Sequence, residues 1–432
     1  MDHEELKKRR RAREAQRRKR QQAQRQMLLR LAIAVVLLIV SGTAIFLISR
    51  KDAPENPGDS LMATETAPVE TAQPTEEPPS WEKEDTVIRI AAAGDLNVTD
   101  TTVWAGSQQG GSYDFTQTFV DVAAILSDAD LAMVNFEGIA CGMPYGSVKN
   151  SAPQEMLIAL KNAGVDVVQA ANSCSINNGV SGLATSLANI RSAGLEPVGA
   201  FANAEEFQRS KGYTIVNVGD VKIALVAFTK GMNSRGLPTG SENCVNLLYT
   251  DYSTEYRVVD EERIKKILQA TQVENPDLTI AMLHWGSELN DTISKSQETI
   301  QKLMLENGVD VILGTHPHMV HKVDYDDMTG QLIAYSLGDF LGDASRSGTQ
   351  YSIILELEIT KNHNEGFTRV TDYSYTPIYT LTEEDSAGGH RVVRIENAMA
   401  AYEANYIDKV TDACYADMEY SLKRIRERLN GE

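Results

Sequence analysis

Side chains able to bind metal ions follow five apolar, β-branched runs of this 432-residue sequence, at the point where each run ends. Because ligands of open α/β sheets bind beyond the carboxyl ends of the strands, these five endings could converge on one cleft. Imidazole together with carboxylate is the ligand mixture that suits zinc, manganese or iron. A lone Gly-Asp is usually a turn, but five such endings in order favour a metal site. The endings are Gly94-Asp95, Asn135-Phe136-Glu137, Ala171-Asn172-Ser173-Cys174, His284-Trp285-Gly286-Ser287-Glu288 and Gly314-Thr315-His316-Pro317-His318.

The histidines are concentrated in the same region. Of the seven in the sequence, His284, His316, His318 and His321 fall within 38 residues. His316 and His318 are two residues apart on backbone that should be extended, so both imidazoles can face one side. A single histidine after a strand is more often structural, so the interpretation depends on the combination of endings.

The elements that must position these groups follow a strand–helix alternation. It predicts an α/β protein whose sheets are covered by helices. Residues 119–129 and 182–194 are predicted helices, residues 395–428 are predicted to form one long terminal helix, and Val218-Gly219-Asp220-Val221 is a predicted hairpin turn. The predicted strands are 86–93, 131–136, 165–170, 213–218, 222–228, 277–283, 309–314, 331–337 and 351–359.

An apolar segment precedes this body. Residues 31–48 carry no charge, and at about 1.5 Å per residue they nearly span a hydrocarbon core of about 30 Å. The segment lacks the polar face of a core helix and the cleavage site of a signal peptide. We therefore expect one transmembrane signal-anchor over residues 31–49, with a cytoplasmic tail over residues 1–30 and an extracytoplasmic body. Residues 50–85 hold six of the thirteen prolines, and we expect a disordered stalk there.

The charge is unevenly distributed. Residues 1–30 carry twelve Lys/Arg and four acids, a net charge of +8, so the total of −19 leaves −27 for the remainder. An acidic body argues against nucleic acid as a partner, because affinity for nucleic acid depends on Lys and Arg neutralising phosphates. The apolar fraction of 42% excludes a wholly disordered chain.

Six motifs of the body resemble those of the CapA capsule-synthesis (poly-γ-glutamate biosynthesis) proteins, a branch of the calcineurin-like metallophosphatases. HWGxE, GxHPH and YSLGxF in this order are specific, whereas GD alone is not. The resemblance covers about residues 87–345 and implies a four-layer α/β/β/α sandwich. We expect this domain over residues 86–380, followed by a C-terminal helical extension over residues 381–432. The motifs are AAAGDLN around Asp95, VNFEG around Glu137, AANSCSINNG around Asn172, LHWGSE at His284, GTHPH at His316 and YSLGDF at Asp339.

The resemblance also implies a cleft for one or two divalent ions, manganese, iron or zinc. Glu137 would take the place where an acid can bridge two ions. Trp285 and Glu288 would be cleft-wall or supporting residues, although a buried packing role is commoner for a tryptophan. The implied ligands are Asp95, Glu137, Asn172, Ser173, His284, His316 and His318. The implied supporting or cleft residues are Asn97, Asn135, Cys174, Trp285, Glu288 and Asp339.

Several positions depart from the family pattern, which usually reads ANNHxxDxG around residues 171–179. The usual ligand Asn is Ser173 here, the usual catalytic His is Cys174, and the usual Asp is Asn177. A hydroxyl is a poorer ligand, and a Cys cannot replace a His that protonates a leaving group near neutral pH. Asp339 stands where Asn is usual, and Asn97 stands where many relatives carry His. We therefore assign no catalytic residue.

Two classes of function stay open. The first is a metal-dependent hydrolase or transferase acting on a phosphoester, or on an amide of an anionic surface polymer such as poly-γ-glutamate or capsule. The second is a non-catalytic protein that binds such a polymer, or a partner in an envelope synthesis complex. A degenerate fold kept as a scaffold is a third reading.

The four cysteines allow a disulfide. We expect Cys141 to pair with Cys174 if both strand ends line the same cleft, because the extracytoplasmic compartment permits oxidation. Cys244 and Cys414 would be a second, less supported pair. Four free thiols are the alternative.

Overall fold

The computed structural model describes residues 83–386, 388–406 and 409–430. The predicted cytoplasmic tail, the predicted membrane span and nearly all of the predicted stalk lie outside these residues. Within the described ranges, no helix is long and apolar enough to cross a membrane.

Eight strands form the first sheet: β1 (Thr86–Asn97), β2 (Leu131–Glu137), β3 (Val167–Gln169), β4 (Glu196–Val198), β11 (Asp339–Leu341), β12 (Tyr351–Asn362), β13 (Phe367–Leu381) and β14 (Arg391–Arg394). Their order is β14-β13-β12-β1-β2-β3-β4, and β11 pairs with β1. Strands β1, β2, β3 and β4 are parallel to their neighbours in this series, while β12 is antiparallel to β1. The carboxyl ends of β1, β2 and β3 therefore meet at one edge of the sheet.

Six strands form the second sheet: β5 (Thr214–Val218), β6 (Val221–Thr229), β7 (Leu278–His284), β8 (Val311–Thr315), β9 (Val323–Asp326) and β10 (Gln331–Ala334). Their order is β5-β6-β7-β8-β10-β9. Strands β6, β7 and β8 are parallel, so their carboxyl ends also share one edge. The predicted hairpin turn is confirmed, because Val218 of β5 lies opposite Val221 of the antiparallel β6.

Nine helices are described: α1 (Asp100–Ala105), α2 (Ala123–Ser127), α3 (Gln154–Asn162), α4 (Gly179–Ser192), α5 (Ala204–Ser210), α6 (Glu261–Gln272), α7 (Lys295–Glu306), α8 (Ile395–Glu403) and α9 (Asp412–Asn430). Each of the nine predicted strands overlaps an observed strand, and each of the two predicted early helices overlaps an observed helix. Strands β4, β9, β11, β13 and β14 were not predicted.

Three apolar cores separate the layers of a mixed α/β sandwich, as expected. The central core lies between the two sheets and includes Ile90, Leu225 and Leu355. A second core fills the space between the first sheet and α1, α2 and α3, and a third lies between the second sheet and α6 and α7. The order of layers is therefore helix, sheet, sheet, helix.

The expectation of one long terminal helix is wrong. Helix α8 ends at Glu403, and Asn405 has a left-handed φ of +52°, which a continuing helix would not allow. A new helix begins after Thr411, whose hydroxyl accepts a hydrogen bond from Cys414 N–H over 3.3 Å. The rings of Tyr402 and Tyr415 then stack with centroids 4.3 Å apart. The two helices therefore fold back on one another.

Candidate metal centre

Five of the predicted ligands converge, and we call them the carboxylate–histidine cluster. Asp95 lies in β1 and Glu137 ends β2, whereas His284 ends β7 and His316 and His318 follow β8. All five side chains are buried. Because β1 and β2 belong to the first sheet and β7 and β8 to the second, the cluster joins the two sheets at their carboxyl ends.

Asp95 is fixed by a close approach of two backbone segments. At Gly94 an added Cβ would lie only 1.8 Å from Gly338 O, so no larger residue fits without displacing the backbone. The neighbouring Asp95 N–H donates to the same Gly338 O over 2.9 Å. The Asp95 carboxylate accepts hydrogen bonds from His316 N–H, at 2.9 Å, and from the Asn135 amide. Both sheets thus hold this carboxylate.

Glu137 lies between two histidines. Its Oε1 is 3.3 Å from His284 Nε2, and its Oε2 is 3.8 Å from His318 Nε2. Oε2 is buried and has no hydrogen-bond partner among the described residues. A buried, unpartnered carboxylate oxygen costs free energy unless a cation compensates for its lost hydration.

The histidine pair adopts backbone that the sequence did not predict. Strand β8 ends at Thr315, and His316 and His318 have φ values of +92° and +58°, so the expectation of extended backbone there is wrong. Left-handed backbone at residues other than glycine is uncommon and concentrates at functional sites. The rings still lie side by side, with centroids 4.5 Å apart for His284 and His316 and 6.1 Å apart for His316 and His318.

Two triads of potential ligands share Glu137. One is Glu137, His284 and His316, the other is Asp95, Glu137 and His318, and the ligand atoms of each lie within 4.8 Å of one another. The Glu137 Oε2 and His316 Nδ1 atoms have no hydrogen-bond partner in the described part of the chain, so both can act as ligands. The residues present therefore fit a divalent metal ion, and Glu137 belongs to both triads.

The pKa values of Asp95 and Glu137 are shifted in opposite directions. Burial and the nearby charge of Glu137 raise the pKa of Asp95 to about 7. Burial also acts to raise the pKa of Glu137, but the charges of His284 and His318 outweigh it and hold that pKa well below its usual value. Two acids so close cannot both ionise freely without added positive charge.

His318 is oriented by a carboxylate behind it. Its Nδ1 lies 2.8 Å from Asp339 Oδ1 and 3.5 Å from Asn97 Nδ2. Burial acts to lower the pKa of His318, but the charges of Asp339 and Glu137 outweigh this effect and hold the pKa well above its usual value. A carboxylate on one ring nitrogen leaves the other directed at the cluster, as is common for metal-binding histidines. Asp339 and Asn97 thus lie behind the His318 ring, at the positions for which the resemblance implied a supporting role.

The two predicted ligands in the turn at residues 172–178, Asn172 and Ser173, have different partners. Asn172 donates to Phe136 O over 2.7 Å and to Asn135 Oδ1 over 3.1 Å, and it accepts from Cys174 N–H over 3.0 Å. These bonds direct the Asn172 amide to protein groups. Ser173 Oγ, by contrast, is 2.8 Å from His284 Nε2, so Ser173 lies beside the cluster.

The predicted Cys141–Cys174 disulfide is wrong, because all four cysteines are free thiols, including Cys244 and Cys414. The Cys141 Sγ faces Asn178 Nδ2, at 3.3 Å, and not Cys174. Burial and the charge of Glu137 raise the pKa of the Cys174 thiol well above its usual value. Cys174 is therefore a neutral thiol next to the cluster.

The last two predicted cleft residues differ from each other. Trp285 is fully buried, and its indole N–H donates to Tyr335 O over 2.9 Å, which makes it a packing residue rather than part of a cleft wall. Glu288 is exposed, and one of its carboxylate oxygens forms a third potential triad with His316 and His318. Glu288 thus lies at the open side of the cluster.

Three polar residues at or near the cluster were not predicted from the sequence. Thr315 Oγ1 lies 3.1 Å from His284 Nδ1, and its place directly before His316 was a usable signal. Lys230 directly follows β6, a sixth strand end of the same edge, and its Nζ donates to Gly286 O over 2.6 Å. Arg235 lies farther along the same loop, where no periodicity indicates its position.

Comparison with known proteins gives matches over the same region. A family model described as bacterial capsule synthesis protein PGA_cap matches residues 89–344. Capsule biosynthesis protein CapA of Bacillus anthracis is 28% identical over 214 residues, which cover 49% of this chain and 48% of that protein. PGA biosynthesis protein CapA of Bacillus subtilis (strain 168) is 22% identical over 347 residues, which cover 76% of this chain and 85% of that protein. The match thus spans about half of the first relative and most of the second.

Solved structures also resemble this chain at low sequence identity. A phosphatase from Mycoplasma pneumoniae is 14% identical, with a TM-score of 0.42, covering 68% of this chain and 95% of that one. The calcineurin-like phosphoesterase YfkN from Bacillus subtilis is also 14% identical, with a TM-score of 0.40, covering 68% of this chain and 91% of that one.

Proposed function

This chain belongs to the CapA family of bacterial capsule synthesis proteins, and we propose from that premise that it is a membrane-anchored, extracytoplasmic protein of surface-polymer synthesis. Its polymer would be poly-γ-glutamate or capsule, the products that the names of its relatives give. Its carboxylate–histidine cluster would bind one or two divalent ions and act on a phosphoester or amide.

The observation that carries this proposal is the place of Glu137 between two triads. A buried carboxylate with an unpartnered oxygen, shared by Asp95 and His318 on one side and His284 and His316 on the other, suits a pair of cations. Bound there, such ions would polarise a phosphoryl or carbonyl oxygen and lower the pKa of a water. The protein itself orients the ligands, because Asp95 accepts from His316 N–H and Asp339 holds the His318 ring.

A second candidate function is non-catalytic binding of polymer or of a partner in an envelope synthesis complex. The observation that favours it is the identity of residue 174. A buried, neutral thiol stands where the family pattern carries a proton-donating imidazole, and Ser173 stands in place of an amide ligand. Under this alternative the cluster would still bind metal, but turnover would be slow or absent.

Metal analysis of the purified protein tests the proposal. After reconstitution with zinc, manganese or iron, we expect one or two ions per chain in the wild type. Glu137→Gln should lower metal affinity by about 10–100-fold or more. A loss of that size is typical when a residue that only hydrogen-bonds to a metal ligand is replaced, and Glu137 would be a ligand itself. His318→Ala and Asp95→Ala should each lower metal content without unfolding the sheets, because neither side chain belongs to the three apolar cores.

Glu205→Gln is a matched control, since Glu205 is an exposed acid on α5 outside the cluster. Its metal content should equal that of the wild type. Wild-type protein that holds no more metal than Glu137→Gln would overturn the metal-site proposal and leave the scaffold reading.

The anchor is tested by its topology. Twelve Lys/Arg before an eighteen-residue uncharged span should keep residues 1–30 in the cytoplasm and expose the body outside. Protease added to intact cells should therefore remove the body and spare an epitope tag placed at the N-terminus. A body protected until the cells are lysed would contradict this orientation.

A further inference from the structure

The loop that follows β6, residues 230–236, carries two positive charges next to the cluster. We call it the β6 loop. Lys230 N–H donates to His284 O over 2.8 Å. Farther along, Asn233 Nδ2 donates to Ser173 O over 3.2 Å. The loop therefore lies along both His284 and the turn that carries Ser173.

Arg235 is tethered at the far end of this loop by an amide. Its Nη1 donates to Asn177 Oδ1 over 2.8 Å, and Asn177 is itself held by a 2.8 Å hydrogen bond from its Nδ2 to Asn150 Oδ1. Asn177 belongs to the same turn as Ser173, whose Oγ lies 2.8 Å from His284 Nε2. An exposed and flexible side chain is thus given a defined position beside the cluster.

The charge of Arg235 is not neutralised by a carboxylate. Within the described ranges, Arg235 forms no ion pair, whereas Arg346, also near the cluster, pairs with Glu288 at 3.3 Å. Asn177 positions the guanidinium without cancelling its charge, which an Asp at the same position would do. The remaining N–H donors of Arg235 are therefore available to a ligand.

We propose that Arg235 binds an oxyanion of the substrate, a phosphate or a carboxylate, beside the metal centre. A guanidinium presents paired N–H donors that match either oxyanion. Lys230, at the start of the same loop, adds positive charge, and its backbone N–H donates to His284 O over 2.8 Å. Because residues 31–432 carry a net charge of −27, such a local positive site would overcome the general repulsion of anionic ligands. This assignment rests on the proposed function, because it names an anionic substrate class for the same cleft.

Calorimetric titration of the metal-loaded protein with inorganic phosphate, and separately with glutarate, tests the assignment. Arg235→Gln should weaken binding about 10–100-fold, the effect of losing a hydrogen bond to a charged group. Arg235→Lys should keep part of the affinity, because the charge remains while the paired donors are lost. Asn177→Asp should also weaken binding, since the new carboxylate would pair with Arg235. Arg209→Gln, the same change at an exposed position of α5, should have no effect.

Metal content measured on the same samples separates this inference from the proposed function. A wild type without metal contradicts the proposed function, whereas normal metal content with equal affinities in wild type and Arg235→Gln overturns only the role of Arg235. Loss confined to phosphate or to glutarate would support the assignment and identify the oxyanion. Loss of metal in Arg235→Gln would also overturn it, because Arg235 would then support the metal ligands instead of the substrate.

Discussion

A variant with Ser173→Asn and Cys174→His together should hydrolyse p-nitrophenyl phosphate about 10²–10⁴-fold faster than the wild type, the usual contribution of a positioned general acid. Ser173 Oγ lies 2.8 Å from His284 Nε2. The longer amide side chain of an asparagine at this position can therefore extend its oxygen into the cluster as an additional ligand. Cys174 holds its proton firmly, since burial and Glu137 raise its pKa. A histidine at this position could give its proton to a leaving group near neutral pH.

The single variants separate the two effects. Ser173→Asn alone should raise metal content more than rate, whereas Cys174→His alone should raise the rate per bound metal ion. Cys174→Ser is the control for removing the thiol without adding an imidazole, and it should stay at the wild-type rate. A double variant that keeps its fold and its metal yet shows no gain would favour the non-catalytic function.

The predicted strands that stand out most clearly in the sequence are those with an uninterrupted apolar pattern. β6, β7 and β8 are buried over nearly their whole length, so their runs are unmistakable. β13 has fifteen residues, but most of its first eleven are only partly buried or exposed, and it contains Pro377. Its place is fixed by pairing with β12 on one side and β14 on the other. A strand that is held in place by such tertiary pairing need not show an apolar periodicity in its sequence.

The site was predictable where it depends on strand ends and not where it depends on loops. Asp95, Glu137 and His284 could be found because parallel strands carry their last residues to a common edge. No comparable rule predicts the left-handed backbone of His316 and His318 or the hydrogen bond between Arg235 and Asn177. These features arise from how two separate loops pack, which a single sequence does not encode locally.

Deleting residues 405–432 is expected to prevent stable folding, although the family model ends at residue 344. Helix α9 places Cys414, Met418 and Ile425 in the central core between the two sheets. Burial of three such side chains contributes about 5 kcal/mol or more. Total stability of a domain is about 5–15 kcal/mol, so this loss would remove a large part of it. Met418→Ala alone, at a fully buried position, should lower the free energy of unfolding by about 2–5 kcal/mol.

The same helix also contacts the segment that carries His318. Arg428, in its last turns, donates to Val320 O over 3.0 Å, two residues beyond His318. Chemical denaturation measures the expected loss of unfolding free energy in Met418→Ala. The control is Glu419→Ala, an exposed neighbour, whose free energy of unfolding should stay within about 0.5 kcal/mol of the wild type. A chain ending at Ala404 that unfolds at the same denaturant concentration and binds the same metal would contradict this role. In that case residues 405–432 would be an appendage, and the fold would end with α8.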